Sequence, residues 1–159
     1  LKTKGYPLKL IFVGKDDEFK ISRLLEKEIL SLQGKLDVEW FKNVSLDEVA
    51  NFYSIADLFV FASSCENMPN ILIEAMSAGL PIACSQSQPM PEFLSSSGVY
   101  FDEEDINSIS NSIEKLILDT NSRKNLSDSV RILSENYSWI KCANETFSFI
   151  KYNFDNACK

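Results

Sequence analysis

Two short apolar runs, residues 8–14 (LKLIFVG) and 57–62 (DLFVFA), constrain this chain more than any other feature. Neither alternates apolar with polar, so neither suits a sheet with one wet face. Both read as parallel strands covered on both sides. Each is followed by a stretch of helical spacing. After the first come Phe19, Leu24, Leu25, Ile29 and Leu32, and after the second a helix predicted from about Asn70 to Ala78, stopped at Gly79. Residues 36–41, 81–84 and 99–101 read as further short strands, and Pro89-Met90-Pro91 as a rigid turn before residues 92–94. Ser45 and Glu48 have capping-box spacing ahead of Leu46, Val49, Phe52 and Tyr53. The last third is helical, with Ile106, Ile109, Ile113, Leu116 and Ile117 in step, then helices over about 122–135 and 138–152. Strands alternating with single helices predict a Rossmann-like α/β fold: a mostly parallel sheet with helices on both faces and a helical C-terminus. No linker or repeat interrupts it, so the 159 residues read as one domain.

Ligands in such sheets sit beyond the carboxyl ends of the strands, which directs attention to Gly14 and to residues 63–69 and 85–89. The net charge of −7 disfavours a nucleic-acid partner or an anionic membrane surface. No apolar run is long enough to cross a bilayer. The four cysteines (Cys65, Cys84, Cys142, Cys158) have no metal-site spacing, and the absence of histidine removes Ser-His and Cys-His catalysis. Reduced thiols and a cytoplasmic setting are expected.

The stretch most concerned with chemistry is residues 63–81, SSCENMPNILIEAMSAGLP, which leaves a strand, crosses a loop and enters a helix. The amides of Asn70, Ile71 and Leu72 fall in the predicted first turn, where donors lack helical partners and the dipole favours an anion. Glu66 and Glu74 lie on either side, and an ionised carboxylate accepts both hydrogen bonds that a vicinal diol donates. An anion cradle between two diol acceptors suits sugar, diphosphate and ribose. The plainer reading is that both acids merely favour a helix N-terminus, at about 0.3–1 kcal/mol each.

Residues 45–81 together decide between these. They resemble retaining glycosyltransferase family 4, whose members carry an E-x7-E signature in patterns such as EGFPNxLLEAMAxGxPV. Pro91-Glu92, residues 99–102 (VYFD) and Tyr137-Ser138-Trp139 resemble later family positions. The resemblance implies the C-terminal, donor-binding half of a GT-B fold. It implies that Glu66 contacts the donor sugar as the catalytic-site acid, with Asn67, Met68 and Pro69 bordering that sugar. It further implies backbone contacts from Asn70 and Ile71 to the diphosphate, from Glu74 to the ribose, and a base-pocket rim of Gly14, Asn43 and Val44, next to Lys42. The donor would be a UDP- or GDP-sugar, with no metal or other cofactor. The reaction implied is hexosyl transfer to an acceptor hydroxyl with retention, in polysaccharide or glycoconjugate synthesis. Acceptor choice would belong to an N-terminal domain of the same protein. The family's diphosphate-neutralising Arg and Lys would precede Leu1, along with a first strand and helix. Lys2, Lys4, Lys15 and Lys42 lack matching context and read as surface lysines. This piece alone is therefore expected to bind donor weakly and to transfer nothing. For the full-length protein the cytoplasm is expected, with the inner face of a membrane left open.

Two departures from the family pattern stand out: Asn67 where Gly is usual, and Gln86-Ser87-Gln88 in place of a Gly-Gly turn. In the last helix Trp139, Phe147, Phe149, Ile150, Tyr152 and Phe154 are too many for one covered face. Most are expected to pack on the domain's own core, with Phe149, Tyr152 or Phe154 left exposed. The alternatives are a non-catalytic sugar-nucleotide-binding or interaction module and, more distantly, a response-regulator-like receiver using Asp16-Asp17.

Overall fold

β4 (Ile82–Ser85), buried at all four positions, is the strand around which the larger part of the molecule is built. In this computed structural model residues 1, 4–15 and 19–157 are described, the side chain of Phe19 excepted; Lys2, the Asp16-Asp17 pair and Cys158 lie outside them. The chain divides into two compact units, Leu1–Ile55 and Ala56–Lys159.

The first unit holds β1 (Lys9–Val13), α1 (Phe19–Leu32), β2 (Asp37–Phe41) and α2 (Leu46–Ile55). The two strands pair in parallel, Lys9 opposite Asp37 through Val13 opposite Phe41. The Gly14 amide extends the ladder, donating to Phe41 O at 3.1 Å. The expectation of a doubly covered first strand is not met. No β1 residue is buried, and Leu10 and Val13 remain 37% exposed, because a two-stranded pair has few neighbours to cover it. The capping box at α2 forms as its spacing predicts. Glu48 Oε2 accepts from the Ser45 amide at 2.7 Å, and Ser45 Oγ accepts from the Glu48 amide at 3.3 Å. The Ser45 amide foremost, and then the Ser45 hydroxyl, which donates to the same oxygen at 2.8 Å, hold the Glu48 carboxyl below its ordinary range.

The second unit holds β3 (Phe59–Phe61), α3 (Asn70–Ser77), β4, α4 (Met90–Leu94), β5 (Val99–Phe101), α5 (Ile106–Leu118), α6 (Thr120–Ser134) and α7 (Trp139–Ala157). Its sheet runs β3-β4-β5, all parallel, with Phe61 opposite Cys84 and Ser85 opposite Phe101. The α/β class read from the sequence is the one observed. The core gathers Ala83, Phe101 and Leu116, with Val60, Val99 and Ile113 packed against them. α3 contributes Leu72, Ala75 and Met76, all fully buried, at the i, i+3, i+4 positions of one face. α5 and α6 form a hairpin: Asp119 caps α6 by accepting from the Ser122 amide at 2.8 Å. Arg123 reaches back to the carbonyls of Leu116 and Ile117 at 3.0 and 2.8 Å, closing the end of α5. No residue of α7 is buried, so the expectation that most of its large apolar side chains pack on the domain's own core fails. Trp139, Phe147, Phe149, Ile150, Tyr152 and Phe154 are 54 to 78% exposed.

Candidate functional site

Residues 62–69 carry the chain from the carboxyl end of β3 to the start of α3, and this loop bears the acids and amides singled out above. Glu66 is half-buried, Asn67 exposed and Met68 46% exposed, while Pro69 is fully buried and anchors the loop to the core. With Leu72, Ala75 and Met76 facing inward, Asn70, Ile71 and Glu74 are left on the exposed side of α3. Glu66 and Glu74 thus flank a helix start whose inner face is fixed by packing. The Asn67 departure costs no strain. Among the described non-glycine residues only Asn43 and Ser95 have positive φ, so the loop turns without a left-handed residue at position 67.

The first amides of α3 differ from the expectation of donors without partners. Pro69 has φ −79° and ψ 72°, close to an inverse γ-turn, and the Asn70 amide donates to Met68 O at 2.9 Å. The Leu72 amide donates to Pro69 O at 2.9 Å, tightening the first turn. The cause is proline itself, whose ring fixes φ where an inverse γ-turn needs it and folds the Met68 carbonyl over the helix start. At the other end α3 stops as predicted. Gly79, at φ +72°, donates to Met76 O at 2.9 Å, and Leu80 to Ala75 O at 3.1 Å, the paired bonds of a Schellman motif.

Two neighbouring loops belong to the same end of this sheet. After β4, the Gln86 amide donates to Phe101 O at 2.9 Å, and Ser87 Oγ donates to Glu103 Oε1 at 2.5 Å. That bond is the main reason the Glu103 carboxyl sits below its ordinary range. The hydroxyl of Ser85, on β4 itself, donates to Ser63 O at 2.6 Å. Beside it the Cys84 thiol is pushed up to about 12, chiefly by burial and then by the Glu103 charge, so it is no nucleophile at neutral pH. Sequence reasoning missed the Ser85 and Ser87 bonds. Both join residues far apart in the chain, and only the strand register reveals them.

In the first unit, Gly14 lines an open hollow of about 330 Å³ with Val13, Ile21, Leu25 and Trp40. Lys42 ion-pairs with Glu26 at 2.6 Å and lies 4.1 Å from the centroid of the Trp40 ring. Asn43 is exposed at φ 54°, a left-handed position that asparagine tolerates better than most residues, and Val44 is half-buried. In the second unit a more polar hollow of about 530 Å³ opens around Ser96, Asp119, Asn125 and Ser129, and none of the proposed site residues lines it. Among the described residues no three acids or thiols gather as a metal site would require.

The sequence profile of the family described as glycosyl transferases group 1 matches residues 1–132. The chain belongs to that family. It is 28% identical over 105 residues to the O-antigen chain mannosyltransferase B of Escherichia coli, a match covering 66% of this chain and 28% of that protein. Its fold matches sucrose-phosphate synthase from Thermosynechococcus elongatus at a TM-score of 0.82 and 21% identity, over 93% of this chain and 39% of the other. Anabaena HepE, solved in complex with UDP and glucose, matches at a TM-score of 0.80 and 17% identity, over 91% of this chain and 40% of the other. The fold is therefore the one found in GT-B glycosyltransferases. The chain spans less than half the length of each of these proteins. No helix among the described residues is long and apolar enough to cross a membrane.

Proposed function

We propose that this chain supplies the donor-binding part of a transferase that moves a hexosyl group from a UDP- or GDP-sugar to an acceptor hydroxyl with retention. The observation that carries the reading is the loop of residues 62–69. It leaves a parallel strand at its carboxyl end, presents half-buried Glu66, and delivers α3 with Glu74 on its outward side. Glu66, bordered by Asn67, Met68 and Pro69, accepts hydroxyls of the sugar, and Glu74 accepts those of the ribose. The diphosphate lies over Asn70 and Ile71. To take it, the Asn70 amide exchanges its bent bond to the Met68 carbonyl for a charged phosphate oxygen, a stronger acceptor. Gly14, Asn43 and Val44 keep the role of base contacts that the resemblance assigns them.

Departure of the nucleoside diphosphate is the step that needs help, since charge develops on its bridging oxygen. Oriented amides and the helix dipole, together with the cations that the resemblance assigns to the diphosphate, offset that charge in place of a metal. Glu66 orients the sugar and is not assigned as a nucleophile.

The test is turnover of UDP-glucose and GDP-mannose by the full-length protein, with and without Glu66→Gln. A neutral amide keeps the shape and loses the charged acceptor. Turnover is expected to fall by about 10²-fold or more, with UDP or GDP affinity unchanged. Equal turnover by wild type and variant would sink the site. Binding of a nucleotide sugar without any transfer would favour the non-catalytic module instead.

A further inference from the structure

Where the β3–β4 ladder ends, a side chain takes over. The last registered pair is Phe61 with Cys84. One residue beyond on β4 stands Ser85, and two beyond on β3's outgoing strand stands Ser63, the start of the Glu66 loop. Ser85 is completely buried, and its hydroxyl donates to the Ser63 carbonyl at 2.6 Å. We propose that Ser85 is a positioning residue for transfer: its buried hydroxyl fixes the start of the loop that presents Glu66. This rests on the reading of Glu66 given above.

The physical case is one of geometry and lever arm. Ser63 lies three residues before Glu66, and Pro69 anchors the other end of the loop in the core. A loop held at both ends has few conformations left, and freeing one end restores them. The Ser63 carbonyl is held from the side by an O–H donor whose own position is set by a fully buried strand. β4 is in turn locked to β5, where Ser85 stands opposite Phe101. The hydroxyl therefore transmits the rigidity of the central strand to the carboxylate three positions along the loop from its anchor point. Alanine at position 85 would remove that donor and leave the carbonyl short of a partner, with little change in volume. The nucleotide end of the donor rests on α3, which keeps its own packing through Leu72, Ala75 and Met76. Loss of the hydroxyl thus separates sugar orientation from nucleotide binding.

The experiment uses the full-length protein and whichever of UDP-glucose and GDP-mannose it turns over. In Ser85→Ala, kcat is expected to fall at least about tenfold, because small misplacements of an orienting group are costly. Affinity for UDP or GDP alone should stay within about twofold of wild type. Hydrogen exchange should quicken at the amides of residues 64–68 and not in β4 or β5. Ser85→Thr, which keeps the hydroxyl, should recover most of kcat; if its extra methyl group disturbs the strand, Ser85→Cys should recover part through its weaker donor. A kcat within about twofold of wild type in Ser85→Ala overturns the proposal, as does nucleotide affinity falling by the same factor as kcat. Should Ser85→Ala be insoluble, Ser85→Cys takes its place: kcat reduced together with faster exchange at residues 64–68 supports the proposal, while wild-type kcat, or reduced kcat without faster exchange there, overturns it. Turnover lowered by Glu66→Gln but left within about twofold of wild type by Ser85→Ala removes this inference alone. Turnover indifferent to Glu66→Gln removes the underlying reading as well.

Discussion

Glu103, in the turn after β5, shows how one hydrogen bond can tie stability at this rim to pH. Ser87 Oγ donates to its Oε1, and that bond, with one from its own backbone amide, holds the carboxyl below its ordinary range. A depressed folded-state value means that the ionised form stabilises the fold. That contribution is complete above the unfolded value of about 4.3 and disappears as pH falls through the folded one. Ser87→Ala should therefore raise the Glu103 titration midpoint toward its ordinary value, as read by carbon NMR of the side chain. The variant should be less stable than wild type near neutrality and indistinguishable from it in strong acid, the effect being small because the group is solvent-screened. An unchanged Glu103 midpoint in Ser87→Ala would refute this. The comparison with Glu48 also explains what a sequence discloses at this scale. Ser45 and Glu48 are three apart, so their reciprocal bonds follow from helix geometry and were legible. Ser87 and Glu103, or Ser85 and Ser63, meet only because strands lie in a particular register, and no local spacing announces them.

Elements were legible to the extent that their ends are set locally. β5 falls at residues 99–101 as read, and α3 begins at Asn70 and stops before Gly79, because Pro69 and Gly79 impose those limits. The same locality concealed the aim of the first α3 amide, since the proline that starts the helix also turns the Met68 carbonyl onto Asn70. Gly79 offers a clean test of the helix end. A Cβ there would come no closer than 3.6 Å to Ser127 Oγ, which is ordinary contact, so space is not the issue. The obstacle is φ of +72°, which costs an L-residue with a side chain about 1–2 kcal/mol. Gly79→Ala should lower the unfolding free energy of the second unit by about that amount in urea titration. Gly14→Ala, where no atom lies within 4 Å and φ is not positive, should be close to neutral for stability. Equal losses at the two positions would show that backbone handedness is not what selects glycine at the end of α3.

At the scale of the whole molecule the instructive misreading is α7. Large apolar side chains at helical spacing say that a helix has a face to cover, but periodicity is silent about what covers it. Here Trp139, Phe147, Phe149, Ile150, Tyr152 and Phe154 all remain more than half exposed, whereas Val130 on α6 is completely buried. The hydrophobic contribution to stability scales with area removed from water, so a helix that buries none of its residues contributes little to the unit that carries it. Its start is nevertheless well defined. The Ser138 hydroxyl accepts from the Lys141 amide at 3.2 Å, and the preceding Tyr137 ring packs tilted at 33° against Phe93 of α4 with centroids 5.1 Å apart. A chain ended after Ser138 keeps that ring contact and loses only α7. Its urea midpoint should therefore match that of the longer chain to within the equivalent of about 1 kcal/mol, below the 2–5 kcal/mol that truncating one buried core leucine costs. At the same time binding of a hydrophobic dye and concentration-dependent self-association should fall, because seven large apolar groups, Ile140 with the six above, have left the surface. If the shortened chain instead unfolds at markedly lower urea, α7 is buried in solution against something the fold itself supplies, and its side chains would have to be counted with the core.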